Sequence, residues 1–109
     1  MGAGGIASCM ARTIAEMENV ERYAIGSRSL EKAEAFASEY GFARAYGSYE
    51  ELVRDENVDL VYIATPHSEH FENAKLCIAH GTPVLCEKAF TANAAQACEL
   101  LEMAEKAGV

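Results

Sequence analysis

Two glycines and an alanine near the start of the chain are spaced as G-x-G-x-x-A, within Gly2-Ala3-Gly4-Gly5-Ile6-Ala7. In that spacing the first glycine permits a tight turn, the second lets a pyrophosphate approach the backbone, and the alanine allows close packing of the helix that follows. A helix opening at Gly5 and Ile6 also presents N–H groups with no intrahelical partner and a partial positive charge. Gly2, Gly4, Gly5, Ile6 and Ala7 are therefore candidates for cradling the phosphates of a dinucleotide. In an Ala/Gly-rich stretch the same residues also make a plain loop into a helix. The order that follows favours the cradle: a helix, a strand, and then a polar pair about 20 residues further on, where a ribose would be read.

That pair is Ser27-Arg28, with Lys32 one turn into the next helix. A site for NAD usually carries Asp or Glu here, to accept from the ribose 2′-hydroxyl, whereas an arginine accommodates a 2′-phosphate. Ser27, Arg28 and Lys32 thus favour NADP over NAD, with NAD still possible; the alternative is that Arg28 and Lys32 are solvated surface cations.

Two further loops follow apolar strands: Ala64-Thr65-Pro66-His67-Ser68-Glu69-His70 and Glu87-Lys88. Open α/β sheets bind ligands at the carboxyl ends of their strands, so both loops are expected to line the cleft. A lysine in a cleft wall can position a substrate hydroxyl or carbonyl and take part in proton transfer while hydride moves on a cofactor; that makes Lys88 the candidate catalytic residue. A surface ion pair with Glu87 or another carboxylate is the alternative. His67 and His70 lie three apart at a helix start, but no third ligand is near in sequence and H-E-x-x-H is absent, so no metal site is expected. His80, before a helix-ending glycine, reads as a cation at the negative end of the helix dipole.

The elements that must hold these residues alternate between helix and strand with short connections, which predicts crossover helices on a parallel sheet. Helices are expected from Ile6 to about Glu16, from Leu30 to Tyr40 (capped by Ser29 and stopped at Gly41), from the capping box Ser48-Tyr49-Glu50-Glu51 to near Arg54, from Ser68 to His80, and from Asn93 to Lys106. The fourth helix would carry Phe71, Ala74 and Ile78 on one face, and the last Ala94, Ala97, Cys98 and Leu101 on one face. Strands are expected at Tyr23-Ala24-Ile25, Ala43 to Tyr46, Leu60-Val61-Tyr62-Ile63-Ala64 and Val84-Leu85-Cys86. The run at Leu60 is continuous and apolar, as in parallel strands covered on both faces. The fold class is α/β, a Rossmann-type doubly wound parallel sheet. A glycine fingerprint normally follows a strand, and only Met1 precedes this one; the expectation is a sheet lacking its first strand and a chain that is part of a longer protein, with residues 1–109 forming one dinucleotide-binding domain.

Composition sets outer limits. The 109 residues suffice for one core, with 50% hydrophobic and 24% charged residues. A formal net charge of −8 argues against nucleic acid or an anionic membrane as the main partner, though not against an anionic cofactor held at a helix N-terminus. No stretch approaches a membrane span. Four cysteines occur without a CxxC pair, and three of them fall in helix or strand interiors, so buried free thiols and an intracellular, cytoplasmic location are expected.

In combination these motifs resemble the N-terminal domain of the Gfo/Idh/MocA oxidoreductases. The resemblance runs nearly end to end, through Gly2-Ala3-Gly4-Gly5-Ile6-Ala7, Ser27-Arg28 with Lys32-Ala33-Glu34-Ala35-Phe36-Ala37, Tyr46-Gly47-Ser48-Tyr49-Glu50-Glu51-Leu52, Ala64-Thr65-Pro66 with His70, and Glu87-Lys88. It implies that Gly4, Ala7, Ser27 and Arg28 contact the dinucleotide, that Thr65 and Pro66 flank it with His70 in the same set, and that Glu87 lies near the nicotinamide ribose. It further implies that Lys88 is the lysine of the family's E-K-P motif, part of the catalytic centre; here Ala89 stands in place of the proline. The implied enzyme acts on a sugar, cyclitol or diol, places the rest of its catalytic side chains on a C-terminal α/β domain, and is a homo-oligomer. A non-catalytic NAD(P)-binding sensor shares the same fingerprint. A methyltransferase with a similar glycine turn would require an acidic residue after the second strand, where Ser27-Arg28 stands.

Overall fold

The structure, a computed structural model, describes all of residues 1–109. The chain divides into two compact units, Met1–Leu52 and Val53–Val109.

The first unit holds α1 (Gly5–Ala15), β1 (Ala24–Gly26), α2 (Leu30–Tyr40), β2 (Arg44–Tyr46) and most of α3 (Tyr49–Val53). β1 and β2 pair in parallel, with Ala24 opposite Arg44, Ile25 opposite Ala45 and Gly26 opposite Tyr46; α2 is the crossover that parallel pairing demands. Its limits are local. Ser29 sits in extended backbone and its hydroxyl accepts the Lys32 N–H at 3.4 Å, while Gly41 takes the left-handed conformation (φ 72°) that ends the helix. Arg22 donates to the Tyr40 carbonyl at 2.6 Å, placing a cation at the negative end of α2. Under the helix, Ala33, Phe36 and Ile25 are buried, and the Phe36 ring packs 4.5 Å from Tyr40 and 5.8 Å from Phe42 between centroids. Ser48 caps α3 by accepting the Glu51 N–H at 3.1 Å. The first-strand gap expected beside β1 is partly closed: Gly2 donates its N–H to the Gly26 carbonyl at 2.9 Å, and Met1 is buried.

The second unit holds β3 (Val61–Ile63), a 3₁₀ turn at His67–Glu69, α4 (His70–Ala79), β4 (Val84–Cys86) and α5 (Ala94–Ala107). β3 and β4 pair in parallel, Val61 with Val84, Tyr62 with Leu85 and Ile63 with Cys86, again through one crossover helix. The ladder extends at both ends, with Val61 N–H on Pro83 O and Glu87 N–H on Ile63 O. Val61 and Ile63 are buried and Tyr62 is half-buried, but Leu60, expected inside the strand, is exposed and outside it. α4 packs on both strands and on α5, burying Ala74, Cys77, Ile78 and Leu100. Each unit is thus a β-α-β module with parallel strands, the building block of the Rossmann-type α/β fold.

Three expectations about packing need correction. The single helix over Ser68–His80 is a 3₁₀ turn followed by α4, because the turn after Pro66 closes with Glu69 N–H on Pro66 O. In α5 the buried residue is Leu100, whereas Ala94, Cys98 and Leu101 are exposed; two apolar rows lie side by side there, and the inner one runs through Ala97, Leu100 and Ala104. Of the four free thiols only Cys77 is buried; Cys86 is half-buried, and Cys9 and Cys98 face solvent.

Candidate functional site

In the first unit the glycine turn leads directly into α1. Gly4 is the N-cap of α1, in extended backbone (φ −96°, ψ −175°) and with no side-chain cap. The first helical amide to find its carbonyl is that of Ser8, bonded to Gly4 O at 3.0 Å, so those of Gly5, Ile6 and Ala7 have no earlier partner in the helix. A Cβ built at Gly4 or Gly5 meets nothing within 4 Å, and the first turn carries no acidic residue. The turn therefore combines open space with backbone N–H groups that have no intrahelical partner. Gly2, with φ 90°, has its own N–H engaged by β1, and Ala7 is buried where the helix packs.

At the end of β1, Ser27 is buried: its N–H bonds Tyr46 O at 3.1 Å and its hydroxyl accepts the Ser29 N–H at 3.4 Å. Arg28 and Lys32 are both exposed, one turn apart at the start of α2.

The second unit brings its candidate residues together at the carboxyl ends of β3 and β4. Thr65 is buried; its hydroxyl accepts from the side-chain amide of buried Asn73 at 2.9 Å. Pro66 is exposed beside it. The ring of His70 is fully buried, with Nε2 3.0 Å from Thr65 O and Nδ1 2.7 Å from Ala89 O. After β4, Glu87 Oε1 accepts from the Tyr62 hydroxyl at 2.5 Å and Oε2 accepts the Lys88 N–H at 3.1 Å. The Tyr62 hydroxyl first, then the Lys88 amide and the positive charges of Lys88 and His70, hold the Glu87 carboxyl below its ordinary range. Lys88 itself is exposed, and the peptide joining it to Ala89 is cis. His67 is exposed with its ring centroid 5.4 Å from that of His70, and no group of three metal-ligating side chains forms. His80 Nδ1 lies 2.9 Å from Leu76 O in the last turn of α4.

Two members of this constellation escape a linear reading. Tyr62 meets Glu87 only because β3 and β4 are adjacent, and Asn73 reaches Thr65 only because α4 folds back over the strand it follows. The one available signal is the i, i+3 spacing of His70 and Asn73 on a helix face.

The sequence matches the profile of an oxidoreductase family with an NAD-binding Rossmann fold across residues 1–109. It is 40% identical to trans-1,2-dihydrobenzene-1,2-diol dehydrogenase of Mus musculus over all of this chain and 33% of that protein. It is 62% identical over 63 residues to D-xylose 1-dehydrogenase (NADP(+)) of Hypocrea jecorina, a match covering 58% of this chain and 16% of the relative. Among solved structures, an NAD binding oxidoreductase from Klebsiella pneumoniae aligns with TM-score 0.91 and 33% identity, over 99% of this chain and 31% of that one. A 3-ketoreductase from Actinomadura kijaniata, solved with TDP-benzene and NADP, aligns with TM-score 0.94 and 28% identity, over 99% of this chain and 34% of that one. The chain spans about a third of the length of the relatives it matches in full.

Proposed function

The chain belongs to the Gfo/Idh/MocA oxidoreductase family, with its NAD-binding Rossmann fold, and from that membership we propose that it is the dinucleotide-binding part of an NADP-preferring dehydrogenase or reductase acting on a diol, sugar or cyclitol. The observation that carries this reading is the open glycine turn, in which the backbone at Gly4 and Gly5 faces empty space at the N-terminus of α1. Gly4, Gly5, Ile6 and Ala7 would hold the pyrophosphate, Ser27 and Arg28 the adenosine ribose and its 2′-phosphate with Lys32 nearby, and Thr65, Pro66 and Glu87 the nicotinamide side. A nicotinamide, when bound, supplies the hydride donor or acceptor. Lys88 is the group that moves a proton at the substrate oxygen, its exposed ammonium set beside a carboxylate that stays ionised.

The substrate class rests on the relatives, whose names specify a dihydrodiol and D-xylose: both offer a secondary hydroxyl beside another oxygen. Four free thiols fit a reducing compartment such as the cytoplasm, and we read the whole enzyme as a homo-oligomer from its family resemblance. The test is a titration with NADPH and NADH followed by nicotinamide fluorescence. Tighter binding of NADPH is expected; no binding of either overturns the proposal.

A further inference from the structure

His70 is a candidate cofactor contact by family resemblance, and its surroundings in the fold point to a further role. The ring is fully buried in the second unit, and both nitrogens face main-chain carbonyl oxygens. A carbonyl only accepts, so each contact is a hydrogen bond when the facing nitrogen carries the proton. One carbonyl belongs to Thr65, in the loop after β3; the other belongs to Ala89, in the loop after β4 and next to Lys88. Thr65 is five and Ala89 nineteen positions from His70 in sequence, and the imidazole contacts the carbonyls of both. Its companion on α4, Asn73, grips the same Thr65 through the hydroxyl.

We propose that His70 is a positioning residue, a two-ended latch that ties the carbonyl of Thr65 to that of Ala89 and so fixes the loop on which Glu87 and Lys88 are presented. The latch acts through the placement of Lys88, from a ring that is fully buried. Without it the Glu87–Ala89 segment keeps only the Glu87 N–H bond to Ile63 O and the Tyr62 tether on the side chain. Its importance for chemistry rests on the function proposed above, but the latch itself is a property of the folded chain and is read without any ligand.

The test has two arms. In the wild-type protein, long-range ¹H–¹⁵N correlation on the His70 ring should show a proton on each nitrogen; one bare nitrogen overturns the latch. In His70→Phe and His70→Gln, amide exchange at Glu87 and Lys88 should accelerate about tenfold or more, less in His70→Gln, whose single amide nitrogen can still donate to one of the two carbonyls, while Leu100 in α5 exchanges as before. Equal acceleration throughout the second unit, or none, also overturns it, since a merely structural histidine loosens the whole unit together. If His70→Phe does not fold, the ring spectrum and His70→Gln decide the question. Failure of the wild type to bind NADPH would reject the proposed function while leaving these readouts intact.

Discussion

The Tyr62 hydroxyl, midway along β3, donates to the carboxylate of Glu87, the first residue beyond β4, 2.5 Å away. Parallel pairing sets Tyr62 opposite Leu85, so Glu87, two residues further on the same face, comes within reach although 25 positions separate them in the chain. The bond does two things at once: it orients one carboxylate oxygen and leaves the other to accept the Lys88 N–H.

Removing the hydroxyl should show in titration. The Glu87 carboxyl is held below its ordinary value of 4.5, chiefly by Tyr62, so the interaction stabilises the fold above that value and fades as the pH falls through the lowered one. In Tyr62→Phe the Glu87 midpoint should move up toward the ordinary glutamate range, and the acid side of the stability profile should flatten there. Carboxyl ¹³C titration by NMR checks it; an unchanged midpoint refutes the assignment.

Gly4 separates binding from folding. Its backbone angles suit any residue and a Cβ there meets nothing within 4 Å, so Gly4→Val should leave the melting temperature within a degree or two, on the order of the effect of a neutral surface change. The added side chain stands where a pyrophosphate would approach, and NADPH affinity should fall by about tenfold or more, equivalent to ~1.4 kcal/mol. Thermal melting alongside fluorescence titration reads both.

Gly26 behaves in the opposite way. A Cβ at this position would lie 3.0 Å from Leu52 Cδ2 and 3.2 Å from Leu52 Cβ. Leu52 is itself buried, so little room exists for it to move. Gly26→Ala should cost about 1–3 kcal/mol, as overpacking does, measured by urea denaturation.

Arg28 tests the choice of cofactor. Arg28→Ala should weaken NADPH by about tenfold, the loss of roughly 1.5 kcal/mol expected for a charge-assisted bond, while NADH binding changes little. Equal loss for both nucleotides would show that Arg28 contacts something other than the 2′-phosphate.

The thiols should divide by reactivity. Burial pushes Cys77 up to about 11 and raises Cys86 as well, so neither offers much thiolate near neutrality. A colorimetric thiol reagent at neutral pH should count two fast groups, Cys9 and Cys98, and reach Cys77 only on unfolding.

How far the sequence carries depends on whether a feature is local. Leu30–Tyr40 is legible to the residue because Ser29 and Gly41 fix its ends through bonds and angles of neighbouring residues. The cradle is legible for the same reason, being one turn of backbone. In α5, by contrast, Leu100 and Leu101 are equally apolar neighbours, and only packing against α4 decides that the first is buried and the second is not. His70 is recognisable as a residue of interest, but its work depends on the Ala89 carbonyl arriving from beyond the next strand. Periodicity and spacing report what a residue can do; partners from distant segments decide what it does.

The two strand pairs also bear on how the chain finds its structure. Twenty positions separate Ala24 from Arg44 and twenty-three separate Val61 from Val84, so the loops closed in forming the two ladders are nearly equal in length. Because the entropy of closure grows only with the logarithm of that length, both pairings carry nearly the same kinetic penalty. Each is bridged by a helix that can begin to wind before its strands meet. Neither module sets the pace for the other by topology alone: parallel sheet, ordinarily slow to assemble, is here divided into two short searches.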